Sequence, residues 1–171
     1  MARSRLPLPP WLHAIVALAA TTLLSLGAVA QGIPPLTPVQ VSAHAWYVQG
    51  DAGMASAANK GFNSNAGFVV TRDSVIVIDA LGTPPLGDAL LAAIRQVSDK
   101  PIRRVILTHY RADHFYGLAA FKAAGAEVWA HRAGREYFTS GEAAARLAQR
   151  QKDLFPWVDE RTRLIEAGRW L

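Results

Sequence analysis

The chain of 171 residues contains no cysteine. That absence excludes disulfides, thiolate metal ligands, a thiol nucleophile and a lipid-modified N-terminal cysteine. Exported proteins also occur without disulfides, so it does not argue against secretion. A strong charge imbalance is lacking too: 18 basic residues stand against 13 acidic ones, for a net charge of +5. With the basic residues scattered along the chain, this balance excludes a nucleic-acid footprint. No internal repeat is visible. Although 51% of the residues are hydrophobic, a long uncharged apolar run occurs only at the front.

That run, Ala14 to Ala30, follows a short basic lead of Arg3 and Arg5 and closes on the small-residue site Ala28-Val29-Ala30. The layout is that of a secretory signal peptide over residues 1–30, cleaved between Ala30 and Gln31. The run of about 17 residues is at the lower limit for spanning a bilayer, and the A-x-A site favours cleavage over retention as an anchor. Arg3 and Arg5 are not adjacent, which speaks against a twin-arginine signal. Cleavage removes only these two charges, taking the net from +5 to +3. The expected destination is the periplasm or the exterior, with no stable membrane anchor left after cleavage. The remainder has the length of one ordinary domain.

Residues 31–44, with Pro34, Pro35 and Pro38, read as an extended leader, and the domain is expected over residues 45–171. Ala45 to Val48 reads as a first strand and Gly50 to Asn65, rich in Gly, Ala, Ser and Asn, as a loop. Ala66–Thr71 and Ser74–Asp79 are β-branched runs joined by Arg72-Asp73, a hairpin signal. Leu90, Leu91, Ile94 and Val97 recur at helical spacing behind Pro84-Pro85. Ile102–Thr108 holds the doubly apolar run Val105-Ile106-Leu107 of a buried strand. A short helix is expected over Phe115–Ala124, a strand over Glu127–His131, and a helix from Gly141 to about Leu154 capped by Ser140. The residues before Trp170-Leu171 read like the approach to a further strand. This order of strands and helices indicates an α/β domain with a mixed sheet.

Chemistry concentrates in Thr108-His109-Tyr110-Arg111-Ala112-Asp113-His114-Phe115-Tyr116-Gly117. His109 directly follows a buried strand, and Asp113 and His114 sit where a helix begins. In open α/β sheets, active sites collect beyond the carboxyl ends of strands. Two imidazoles and a carboxylate on such a turn can serve a divalent metal. Asp113 and His114 are sequence neighbours and are expected to diverge, which suits two ions better than one. His131 reads as a structural or solvent-facing imidazole, and Trp46, Trp129 and Phe121 read as core. His44, Arg103-Arg104, Arg132 and Arg135 read as solvated surface.

This stretch resembles the H-x-H-x-D-H hallmark of the metallo-β-lactamase superfamily, with His109, Arg111, Asp113 and His114 at its four positions. Asn65–Val70, Val75–Asp79 and Val105–His109 support the resemblance, in matching order, over roughly residues 45–135. Within the superfamily, THYRADHFYG is most similar to periplasmic zinc metallohydrolases associated with quinoprotein systems. The resemblance implies a zinc hydrolase in which metal-bound hydroxide attacks an amide, ester or thioester carbonyl of a small-molecule substrate. His109 would serve the first of one or two zinc ions and His114 the second. Asp113 would be the catalytic carboxylate, ligating the second ion and orienting the nucleophile. Asp79 would support the loop from beneath.

Two departures follow from the same comparison. Arg111 stands at a ligand position, yet a guanidinium is permanently charged and offers a metal no lone pair. The last of the five histidines is His131, so the later histidines and bridging aspartate of the family pattern are not supplied. The chain is therefore expected to be the N-terminal half of an αββα sandwich, with a partner chain as one way of covering the exposed sheet face. The alternative is a metal-free, non-catalytic remnant or binding module of the same fold.

Overall fold

The computed structural model describes residues 32–171. The signal-peptide features lie outside them. Seven strands form one sheet in sequential order: β1 (Val39–Ser42), β2 (Ala45–Val48), β3 (Ala66–Val70), β4 (Val75–Ile78), β5 (Ile102–Leu107), β6 (Glu127–Ala130) and β7 (Arg169–Trp170). β1 to β4 pair antiparallel, and β4 to β7 pair parallel. The sheet is therefore mixed, and the fold is α/β, as the order of runs predicts. The stretch expected to be a leader is instead part of the domain: Val39 pairs with Tyr47 and Gln40 with Trp46, and Leu36 is buried in the core.

The helices are α1 (Pro84–Val97), α2 (Ala112–Phe115), α3 (Leu118–Ala123), α4 (Arg135–Thr139) and α5 (Glu142–Asp153), with a 3-10 turn at Arg132–Gly134. Thr83 caps α1 by accepting the Leu86 N–H, and prolines fill its first positions, where no N–H partner is needed. α5 departs from expectation in its cap, which is Gly141 at φ 85° rather than Ser140.

Phe68, Val75, Val77, Val105, Leu107, Val128 and Ala130 are buried along one side of the sheet, as strand alternation requires. With Leu86, Leu90 and Ile94 of α1 and Leu118 and Phe121 of α3 they make one core. The alternate residues Val69, Ile76, Ile78, Ile106 and Trp129 point the other way and are only half-buried. Trp129 therefore departs from the expected core position. Its ring lies between the guanidiniums of Arg104 and Arg169, at 4.3 and 4.5 Å from the centroid, and its indole N–H donates to Glu127. Trp46 is half-buried too, stacked on Phe68 at 5.5 Å.

The helix expected over Phe115–Ala124 is broken into α2 and α3 at Tyr116-Gly117, for a packing reason. A Cβ at Gly117 would lie 2.0 Å from the Ala80 carbonyl oxygen and 2.8 Å from Gly87 Cα. Backbone meets backbone at this crossing with α1, so no side chain fits. The crossing draws α2 against the loop after β4, where Ala80 N–H donates to His114 O and Gly117 N–H to Leu81 O.

Candidate metal centre

β4 and β5 run parallel, with Val77 beside Val105 and Ile78 beside Ile106. Their carboxyl ends therefore deliver Asp79 and Thr108 side by side, with His109 one residue further on. Asp79 is buried and takes a left-handed conformation, φ 61°, with buried Leu81 close behind at φ 65°. Aspartate tolerates this region better than most residues, whereas for leucine it is strained. Such strain persists where surrounding packing enforces it, commonly beside functional groups.

Asp79 is the hub of the hydrogen bonds in this turn. Its carboxylate accepts from Thr108 N–H at 2.9 Å, Thr108 Oγ1 at 2.7 Å and His114 Nδ1 at 2.9 Å. These bonds set the protons on both histidines. His114 donates its Nδ1–H to Asp79, which leaves the lone pair on Nε2. Thr108 spends its one hydroxyl proton on Asp79, so its oxygen accepts from His109 Nδ1, 2.8 Å away. His109 too is left with its lone pair on Nε2. A ligating imidazole is ordinarily held this way, its second nitrogen donating to an oxygen that fixes tautomer and orientation. Burial, and then the neighbouring His114, push the His109 pKa below its ordinary value.

His109 and His114 pack with ring centroids 4.1 Å apart, tilted by 51°. Asp113 and His114 do not diverge as expected, since His114 Nε2 stands 3.5 Å from Asp113 Oδ2. Two electron-rich atoms facing each other in this way can share a cation. Two ligands, each at about 2.1 Å from a tetrahedral zinc, stand about 3.4 Å apart, so this pair fits a shared ion. The fit is partial, because among the described residues no group of three or more His, Cys, Asp or Glu side chains gathers as a metal site requires. Arg111 stays outside the pair, its side chain 74% exposed and its Nε 3.8 Å from Asp113 Oδ1.

Two residues missed by sequence reasoning hold Asp113 from the loop before β3. Asn63 donates its side-chain amide to Asp113 Oδ2 at 3.3 Å, and Ser64 Oγ donates to the Asp113 carbonyl. Their loop carries no apolar periodicity, and the sequence separation of 50 from Asn63 to Asp113 hides the contact. Tyr110 is wedged among Phe115, Phe138 and Trp170 at centroid distances of 5.2, 4.7 and 5.8 Å, which anchors the turn between His109 and Arg111. His131 lies apart from this group, exposed, and caps the 3-10 turn by accepting the Ala133 N–H.

The profile of the Metallo-beta-lactamase superfamily matches residues 59–170, and the chain belongs to that superfamily. Over 54 residues it is 35% identical to a linear primary-alkylsulfatase of Pseudomonas sp. (strain ATCC 19151), a match covering 32% of this chain and 10% of that protein. In fold it is similar to the metallo-β-lactamase MIM-1 of Novosphingobium pentaromativorans, with a TM-score of 0.55 and 22% identity over 80% of this chain and 45% of the other. A metallo-β-lactamase of Hirschia baltica aligns with a TM-score of 0.53 and 18% identity, over 81% of this chain and 52% of the other. The chain thus spans about half the length of these structures and a tenth of the alkylsulfatase. The matched relatives are hydrolases.

Proposed function

We propose that the chain carries the first part of the active site of an exported zinc-dependent hydrolase acting on a small-molecule ester, thioester or amide. The observation that supports this most is the Asp79–Thr108–His109–His114 hydrogen-bond set, which leaves the Nε2 lone pair free on both histidines, that of His114 3.5 Å from the Asp113 carboxylate. His109, Asp113 and His114 are the residues that would hold zinc, with Asp79 and Thr108 fixing their orientation. When bound, zinc acidifies water and polarises the scissile carbonyl. Asp113 orients the attacking water, and Asn63 and Ser64 keep the aspartate in place. Asp79 holds the proton on His114 Nδ1. Export follows from the Arg3/Arg5 lead, the apolar run and the Ala28-Val29-Ala30 site.

Arg111 favours a second reading, a metal-free binding module of the same fold, because it places a fixed cation where a ligand is expected and weakly pairs with Asp113. Hydrolysis of activated esters, thioesters and a β-lactam, before and after chelation and zinc repletion, separates the two. Activity that chelation removes and zinc restores supports the hydrolase. Activity indifferent to zinc, or none for any substrate, leaves the binding module.

A further inference from the structure

An open cleft of about 230 Å³ is lined by Arg111 and Asp113, by Tyr137 of α4 and by Arg146 and Arg150 of α5, three guanidiniums against one carboxylate. All three guanidiniums are permanently charged. Among the described residues, the carboxylates paired with them are Asp113 with Arg111 and Asp153 with Arg150, each at a loose 3.8 Å. The cleft therefore carries surplus positive charge. It also opposes local stability, since Arg146 and Arg150 are four apart on one helix, a like-charge spacing that destabilises an isolated helix. Beyond these two loose carboxylate contacts, an anionic ligand would offset the remaining charge. The arginines lining the cleft come from two separate elements, and planar guanidinium forks suit an oxyanion.

We propose that this cleft is a subsite for an oxyanion (carboxylate, sulfate or phosphate) on the substrate, placing the substrate's charged end beside Asp113 and His114. Arg111, unable to ligate metal, would serve here as the lip of the anion clamp. The substrate class narrows accordingly to anionic small molecules. The inference rests on the preceding assignment of Asp113 and His114 to the reaction centre, but its test does not require metal.

Inorganic sulfate is titrated into the 171-residue chain in chelator at constant ionic strength, with chloride as the balancing ion, and backbone amide shifts are followed by NMR. Saturable shifts at Ala112, Tyr137 and Arg146 to Arg150 are expected. R146Q with R150Q should weaken binding about tenfold or more, as loss of charge-assisted hydrogen bonds implies, while R163Q, outside the cleft, leaves it unchanged. Both arginines are partly exposed and glutamine keeps most of the stem, and amide dispersion verifies folding. No saturable shift, chloride acting as well as sulfate, or undiminished binding in the double variant would each overturn the proposal. Sulfate binding without zinc binding would sink only the metal assignment; zinc binding without sulfate binding would sink only the anion subsite.

Discussion

Asp79→Asn isolates what orients the two histidines. The Asp79 side chain is 6% exposed, and its carboxylate accepts from three donors at 2.9, 2.7 and 2.9 Å. Asparagine has the same shape and also tolerates the left-handed backbone, φ 61° here, so neither volume nor strain confounds the change. Its oxygen can keep the Thr108 N–H, but its NH2 then faces the Thr108 hydroxyl and His114 Nδ1–H, donor against donor. Hydrogen bonds to a charged group contribute about 1.5–3 kcal/mol each, and two are lost or reversed. A destabilisation of about 3 kcal/mol is expected by urea unfolding in chelator, allowing for relaxation by a tautomer change. That change moves the His114 proton to Nε2, visible in imidazole nitrogen NMR spectra, and removes the lone pair facing Asp113. Zinc affinity should fall about 10- to 100-fold, the usual cost of removing such a supporting group. An unchanged His114 tautomer with a stability loss below about 1 kcal/mol would refute the proposed role of Asp79.

Gly117→Ala should cost at least about 3 kcal/mol by urea unfolding, because its Cβ would sit 2.0 Å from the Ala80 carbonyl oxygen. Gly168→Ala, with its nearest neighbour 3.8 Å away, should cost little. Tyr110 has a buried hydroxyl with no well-formed hydrogen bond among the described residues, and burial, only partly offset by the Ala167 backbone, pushes its pKa from 10 to about 12. The native state thus holds this proton more tightly than the unfolded chain. Its contribution is intact below pH 10 and is lost as pH rises towards 12. Tyr110→Phe should therefore be near neutral at pH 8 and should flatten the alkaline decline in Tm. Arg111→His exchanges a fixed cation for a neutral nitrogen donor and should tighten zinc binding in chelator competition, whereas a metal-free module would show no change.

The strands that carry the site were legible because their chemistry is local. Val75–Ile78 and Val105–Leu107 are β-branched or aliphatic runs whose only stable home is a covered sheet, and His109, Asp113 and His114 follow them at motif spacing. β1 was not, because Val39–Ser42 is exposed at every residue and carries no burial pattern to read. The division of α2 from α3 follows from the meeting of Gly87 and Gly117, distant in sequence, and α4 is too short to show periodicity. Asp79 could be read as a strand-end acid, but the direction of its carboxylate depends on a left-handed backbone that adjoining packing imposes. Asn63, Ser64 and the Arg146–Arg150 pair were hidden because only tertiary folding brings a polar loop and a distant helix to Asp113.

The most direct measurement is elemental analysis of zinc in the purified protein after zinc loading and exhaustive desalting, beside a His109→Ala/His114→Ala double variant. A centre built on His109, Asp113 and His114 predicts retained zinc in the parent and its loss in the variant, with folding unchanged in chelator. Zinc content in the parent no higher than in the double variant would contradict it.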